Sequence, residues 1–205
     1  MDSKNQAMES AKKYIVLMAL GGMLVLGIFL MLARPWNKTS DEESMKLTPV
    51  QKITTDNLDL YYPENPRLVA EKFCAIMKAL YGESYSKEEF AVMVEQLTKL
   101  YDEEFLALQT DYAATMETDV SQKLTDGYTI SNYVIPDSET EVTYFIQDNR
   151  NCAGMDVTFS VRNGTRTEEV PYTFIFRKEK DTGRWKILGW QISDSGQTNL
   201  IGKVN

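Results

Sequence analysis

Histidine is absent from the 205 residues of this chain. With it go the commonest general base, the usual metal ligand and the side chain that titrates near neutrality. Cysteine is scarce: Cys74 and Cys152 are too few and too far apart in sequence for a zinc site or a disulfide framework, and they are either one bridge or two small buried thiols. No metal and no cofactor are expected on these grounds. Positive charge is also in deficit, with 22 Lys and Arg against 30 Asp and Glu and a formal net charge of -8. Setting aside Lys4, Lys12, Lys13, Asp2 and Glu9 at the N-terminus leaves the remainder at -9. A field of that sign repels phosphate backbones and anionic lipid heads, so nucleic acid is not an expected partner.

Charge is missing altogether from one stretch. Tyr14–Ala33 reads YIVLMALGGMLVLGIFLMLA, 20 residues without a charge, bracketed by Lys12-Lys13 and Arg34. At about 1.5 Å rise per residue such a helix crosses a hydrocarbon layer of about 30 Å. A cleaved signal peptide has a shorter apolar core and a small-x-small cleavage site, whereas this run ends in Met31-Leu32-Ala33, so an uncleaved anchor is expected. Lys4, Lys12 and Lys13 on one side match Arg34, Lys38 and Lys46 on the other. The lysine pair abutting the helix and the short tail favour a cytoplasmic N-terminus. The expected organisation is a cytoplasmic tail over 1–13, a membrane helix over 14–33, a solvated linker over 34–56 and an extracytoplasmic α+β domain over 57–205. The expected location is the cell membrane, as a single-pass protein.

The body has globular composition, 43 % hydrophobic and 25 % charged. Asn65-Pro66 predicts a helix start, with Val69, Phe73, Ile76, Met77 and Leu80 at helical spacing before Gly82. Ser86-Lys87-Glu88-Glu89 is a capping box ahead of Phe90, Met93, Val94, Leu97 and Leu100. Asp102-Glu103-Glu104 opens a short piece, and Asp111 a last helix carrying Met116, Val120 and Leu124. The paired acids read as first-turn carboxylates facing the positive ends of helices.

After Gly127 the apolar period changes to two. Tyr128, Ile130 and Val134 mark one strand, Val142, Tyr144 and Ile146 a second, and Met155, Val157, Phe159 and Val161 a third. Asn163-Gly164 predicts a type I′ hairpin into a fourth strand bearing Val170, Tyr172, Phe174 and Phe176. The fifth, Arg184–Ile192, carries apolar residues on both faces. Strands joined by short turns form an antiparallel meander, and helices ahead of it give an α+β body with helices on one side of a curved sheet.

That order of helices and strands, closing in Gly183-Arg-Trp-Lys-Ile-Leu-Gly-Trp-Gln-Ile192, resembles the nuclear transport factor 2-like fold, a cone-shaped α+β architecture. With Asn65-Pro-Arg-Leu-Val-Ala-Glu-Lys-Phe73 ahead of the first long helix, nearly the whole chain resembles a functionally uncharacterised family of single-pass membrane proteins from low-GC Gram-positive bacteria. The layout of tail, span and external domain is also similar to that of the inner-membrane assembly subunit of type IV secretion and conjugation machines. These resemblances imply an architecture and no catalytic residues.

The function expected is therefore that of a membrane-anchored binding or assembly module without catalytic activity, working with a protein partner or as a homo-oligomer. The alternatives are a small-molecule sensor whose pocket is lined by Phe73, Tyr144, Phe159, Phe174 and Trp190, or an enzyme using the interior of the cone. For an enzyme the candidate acids at strand positions, Asp156 and Glu141, sit opposite apolar neighbours in the alternation and should face water.

Overall fold

The computed structural model describes residues 47–193 of the chain. The expected tail, the membrane helix Tyr14–Ala33 and most of the linker lie outside the described residues. No helix among the described residues is long and apolar enough to cross a membrane. Among the described residues five α-helices precede the sheet: α1 (Pro49–Thr54), α2 (Pro66–Leu80), α3 (Lys87–Leu100), α4 (Glu103–Ala107) and α5 (Tyr112–Thr125). The strands are β1 (Tyr128–Val134), β2 (Thr143–Gln147), β3 (Arg150–Asn163), β4 (Arg166–Lys178) and β5 (Trp185–Ile192). This is the α+β arrangement of helices and antiparallel sheet that the periodicities predict.

Helix starts are fixed by short-range chemistry. The Asn65 side chain accepts a hydrogen bond from Leu68 N at 2.9 Å, and Pro66 takes the first helical position, where no backbone donor is needed. Ser86 Oγ and Glu89 complete a reciprocal capping box at 3.2 and 2.8 Å. One helix departs from the expected organisation. α1 falls within the range read as a solvated linker, is capped by a Thr48–Gln51 box, and buries Val50 and Ile53. Among the described residues the compact unit takes in Leu47 and α1, ahead of position 57. Six residues with two apolar positions give no visible period, which is why the helix is silent in the sequence.

All strand pairs are antiparallel, in the order β1-β3-β4-β5. β2 pairs with the first part of β3 and β1 with the last part, so the two lie end to end along one edge. Ala153, Met155, Val157 and Phe159 on β3 and Phe174 and Phe176 on β4 are buried on the helix side, as period two predicts. α2 lies across this face, touching β1, β3 and β5. Phe73, Ile76 and Leu80 fill the space between.

Two register irregularities correct the expected strand faces. Between Ile130 and Asn132 β1 takes an extra residue against β3, so Tyr133 pairs with Phe159 on the helix side while Val134 pairs with Thr158 and is 58 % exposed. In β5 the shift at Leu188 has the same effect. Trp185, Ile187, Trp190 and Ile192 all fall in register with helix-side residues of β4, and the apparent two-faced pattern disappears. On β2, Tyr144 and Ile146 share the helix-side register yet stay exposed, because the strand runs past the helices.

The hairpin turns also need correction. Asn163 pairs with Arg166, leaving Gly164-Thr165 as the loop, and only Gly164 has positive φ, at 59°. That is the pattern of a type II′ turn, with glycine required at the first central position. The pair with two positive φ values is Asp148-Asn149, at 50° and 57°, which joins β2 to β3. The two cysteines are free buried thiols, Cys74 within the core and Cys152 on the opposite face of the sheet.

Two measurements follow from this fold. Gly164→Val should lower stability by about 1–3 kcal/mol, since a β-branched residue is strained at positive φ, while Asn163→Val should cost less; denaturation midpoints in the reverse order would show that the turn is wrongly framed. A fragment of residues 57–205 should be less stable than one of residues 47–205 by about 3 kcal/mol, the contribution of burying Val50 and Ile53. Equal midpoints would place α1 outside the cooperative core.

Candidate functional site

The aromatic residues expected to line a pocket separate into three places. Phe73, Phe174 and Trp190 come together, with ring centroids 5.3 Å (Phe73–Phe174), 5.4 Å (Phe73–Trp190) and 5.7 Å (Phe174–Trp190) apart. Tyr101 and Phe105 extend the same cluster to α4. Phe159 packs instead between Tyr133 and Tyr172. Tyr144 stands apart at half exposure, 5.6 Å from Trp185, with its hydroxyl on Glu139. Phe73, Phe159 and Phe174 fill the interior ring against ring, as core aromatics do. Asp156 and Glu141 are exposed, as expected, and Asp156 accepts a 2.6 Å hydrogen bond from Thr173 Oγ1.

A separate opening lies between α3 and α5. It is a groove of about 760 Å³. Its α3 wall carries Phe90, Ala91, Val94 and Thr98, and its α5 wall Ala113, Ala114, Val120 and Leu124. Both sets recur at helical spacing, so each helix offers one continuous stripe. Val94 and Val120 form a buried floor, whereas Ala91, Ala113 and Ala114 are exposed. Tyr85 closes one end, and Glu95 and Glu117 stand on opposite walls.

Sequence reasoning found Phe90, Val94, Val120 and Leu124 as core-facing positions and missed the groove between them. The available signal was the small residues beside those positions, Ala91, Ala113 and Ala114, which keep two helices from filling the space.

Two polar clusters hold the helices to the sheet. The Asp102 amide donates to Ile187 O at 2.9 Å, extending β5 by a short parallel bridge at Tyr101. Its side chain caps α4 through Glu104 N at 2.9 Å and takes both Nε and Nη2 of Arg177. Glu104 adds a contact to Arg177 Nη1 at 2.9 Å. The Asp102 carboxylate, and then Glu104, raise the guanidinium above its ordinary pKa. Asp102 is therefore a cap, as its position suggests, and also half of a buried ion pair that no sequence pattern announces. Two residues earlier on β5, Tyr62 donates to Trp185 O at 2.8 Å, and its ring lies 4.7 Å from both Arg184 and Lys186. Burial lowers the Lys186 pKa.

Tyrosine hydroxyls form further internal polar contacts. Tyr101 and Tyr112 share a 2.7 Å hydrogen bond, and Tyr81 donates to Asp119. Burial raises the pKa of each of these phenols and of Tyr62, with Asp119 adding to the rise at Tyr81. Burial and the neighbouring Glu139 push Tyr144 up to about 12. A folded state that keeps protons the unfolded chain gives up near the ordinary phenol value of 10.0 loses stability as pH rises. Stability is accordingly whole below that value and falls above it. In an alkaline titration, absorbance of tyrosinate should rise together with loss of helix signal; full ionisation with the fold intact would refute the burial of these hydroxyls.

Comparison with known proteins yields one family. No curated protein sequence matches the chain. Among the solved structures that match, two show weak likenesses. The intermembrane space region of the chloroplast protein ARC6 is 14 % identical, with a TM-score of 0.31 over 63 % of this chain and 98 % of that one. The putative transfer protein TraH from a Gram-positive conjugative plasmid is 11 % identical, with a TM-score of 0.33 over 66 % and 98 % of the two chains. The family described as domain of unknown function DUF6715 matches residues 1–190, from the first residue into the fifth strand, and the chain belongs to it.

Proposed function

We propose that this protein is a membrane-anchored module that binds or assembles a protein partner outside the cell membrane and catalyses no reaction. The uncharged run Tyr14–Ala33 would anchor it, with the N-terminal tail in the cytoplasm and the α+β unit outside. The observation that carries the reading is the contrast between a packed aromatic interior and an open groove between α3 and α5. Chemistry needs a site that excludes water around a reacting group, whereas docking needs an accessible apolar surface. Absence of histidine points the same way. The resemblance to nuclear transport factor 2-like domains is compatible with this role, since that fold carries binding and assembly subunits as well as enzymes.

Topology gives the test. The full chain should remain with membranes through carbonate washing, because about 20 apolar residues in lipid are not displaced by pH or salt. With Cys74 and Cys152 buried, a membrane-impermeant maleimide should label intact cells carrying Ser193→Cys and leave cells carrying Ser3→Cys unlabelled. Crosslinking in those membranes should recover one defined protein neighbour. Release by carbonate, or labelling at position 3 alone, would overturn the anchoring and orientation.

A further inference from the structure

We infer that the groove between α3 and α5 receives an amphipathic helix of a partner protein, with an apolar face and basic flanks, an inference that rests on the binding-module reading above. Its geometry is that of a helical cradle. α3 and α5 are each 14 residues long. Their facing stripes of small and apolar side chains meet over Val94 and Val120. A third helix of about 14 residues, about 21 Å long, matches such walls in length. Alanines at 91, 113 and 114 let its backbone approach closely, and half-buried Phe90 offers a ring against which its side chains pack.

α5 itself is incomplete without a cover. It buries only Met116 and Val120, whereas α2 buries eight side chains. Among the described residues none covers the stripe through Ala113, Ala114 and Leu124, all three of which are exposed.

Charge selects the occupant. Glu95 and Glu117 project from opposite walls, and Lys87 stands at the N-terminal end of α3. Glu95 is shared with Lys99 at 3.1 Å, while among the described residues no lysine or arginine pairs with Glu117. A second copy of this chain would bring its own Glu95 and Glu117 into the same space on a body of net charge -9. Like charges brought together disfavour that arrangement, and the same field draws in a basic partner.

The test uses full-length protein in detergent micelles and two labelled peptides of the same Ala/Leu amphipathic design, one flanked by lysine and one by glutamate. Fluorescence anisotropy should show the lysine peptide binding at least about tenfold more tightly than its glutamate twin, with the difference shrinking as salt is added. Glu117→Lys should remove most of that preference. Ala114→Trp, which fills the groove from an exposed position, should weaken the lysine peptide about tenfold without changing the thermal melt, and Glu168→Lys, on β4, should change neither. Equal binding of the two peptides, or binding indifferent to both groove variants, would overturn the inference. So would a concentration-dependent dimer dispersed by Ala114→Trp, which would give the groove to a second copy. Retention in membranes without peptide binding sinks only the groove; peptide binding by a chain that carbonate releases sinks only the anchoring.

Discussion

The pairing of β3 with β4 sets the terms for the rest of the folded unit. It runs unbroken from Cys152–Arg177 to Asn163–Arg166, so every side chain on the two longest strands is assigned to one face by its place in this ladder. Alternation then sends Met155, Val157, Phe174 and Phe176 toward the helices and Asp156 and Thr173 toward solvent. A slip of one residue would invert both sets at once, exposing the core and burying Asp156. The tight turn at Gly164 closes this register at one end. At the other end Arg177, on the far face, is held by Asp102.

The Asp102–Arg177 pair is the second tie, and it works on a different scale. It links the junction of α3 and α4 to the sheet across β5, with both side chains nearly out of solvent. A buried ion pair gives little net stability over an apolar contact, but loss of either partner leaves a stranded charge and is costly. Its contribution is therefore to position: Tyr101 and Phe105 are carried against Trp190, and α5 begins only a few residues further on.

Where the chain follows one period over several turns or alternations, its sequence is readable. α2, α3, β3 and β4 are of this kind, and their caps are spelled out in Asn65-Pro66 and Ser86–Glu89. Three sorts of feature escape. A short helix such as α1 has too few apolar residues to display a period. A bulge, as at Ser131 or Leu188, shifts the phase in mid-strand, so Val134 looks buried and β5 looks two-faced. Long-range partners, such as Asp102 and Arg177, depend on tertiary neighbours that no local pattern encodes. The groove escapes for a related reason: its residues are ordinary on each helix, and only the separation of α3 from α5 makes them a surface. Of the aromatics expected in a pocket, Phe73, Phe159 and Phe174 are inward and pack against other rings, whereas Tyr144 stays half exposed because β2 carries it past the helices.

The light burial of α5 sets its place in the hierarchy of local stabilities. A helix held by Met116 and Val120, by packing on β1 and α3, and by hydroxyl contacts from Tyr81 to Asp119 and between Tyr112 and Tyr101 is expected to open before the β3–β4 ladder does. Its amide protons then exchange through a partial unfolding that is far less costly than global denaturation. Such a helix is a reservoir of conformational entropy at the margin of a rigid sheet. Whatever orders it draws on that reservoir, so the affinity at this surface is set by the cost of quieting α5 as much as by the contacts made with it.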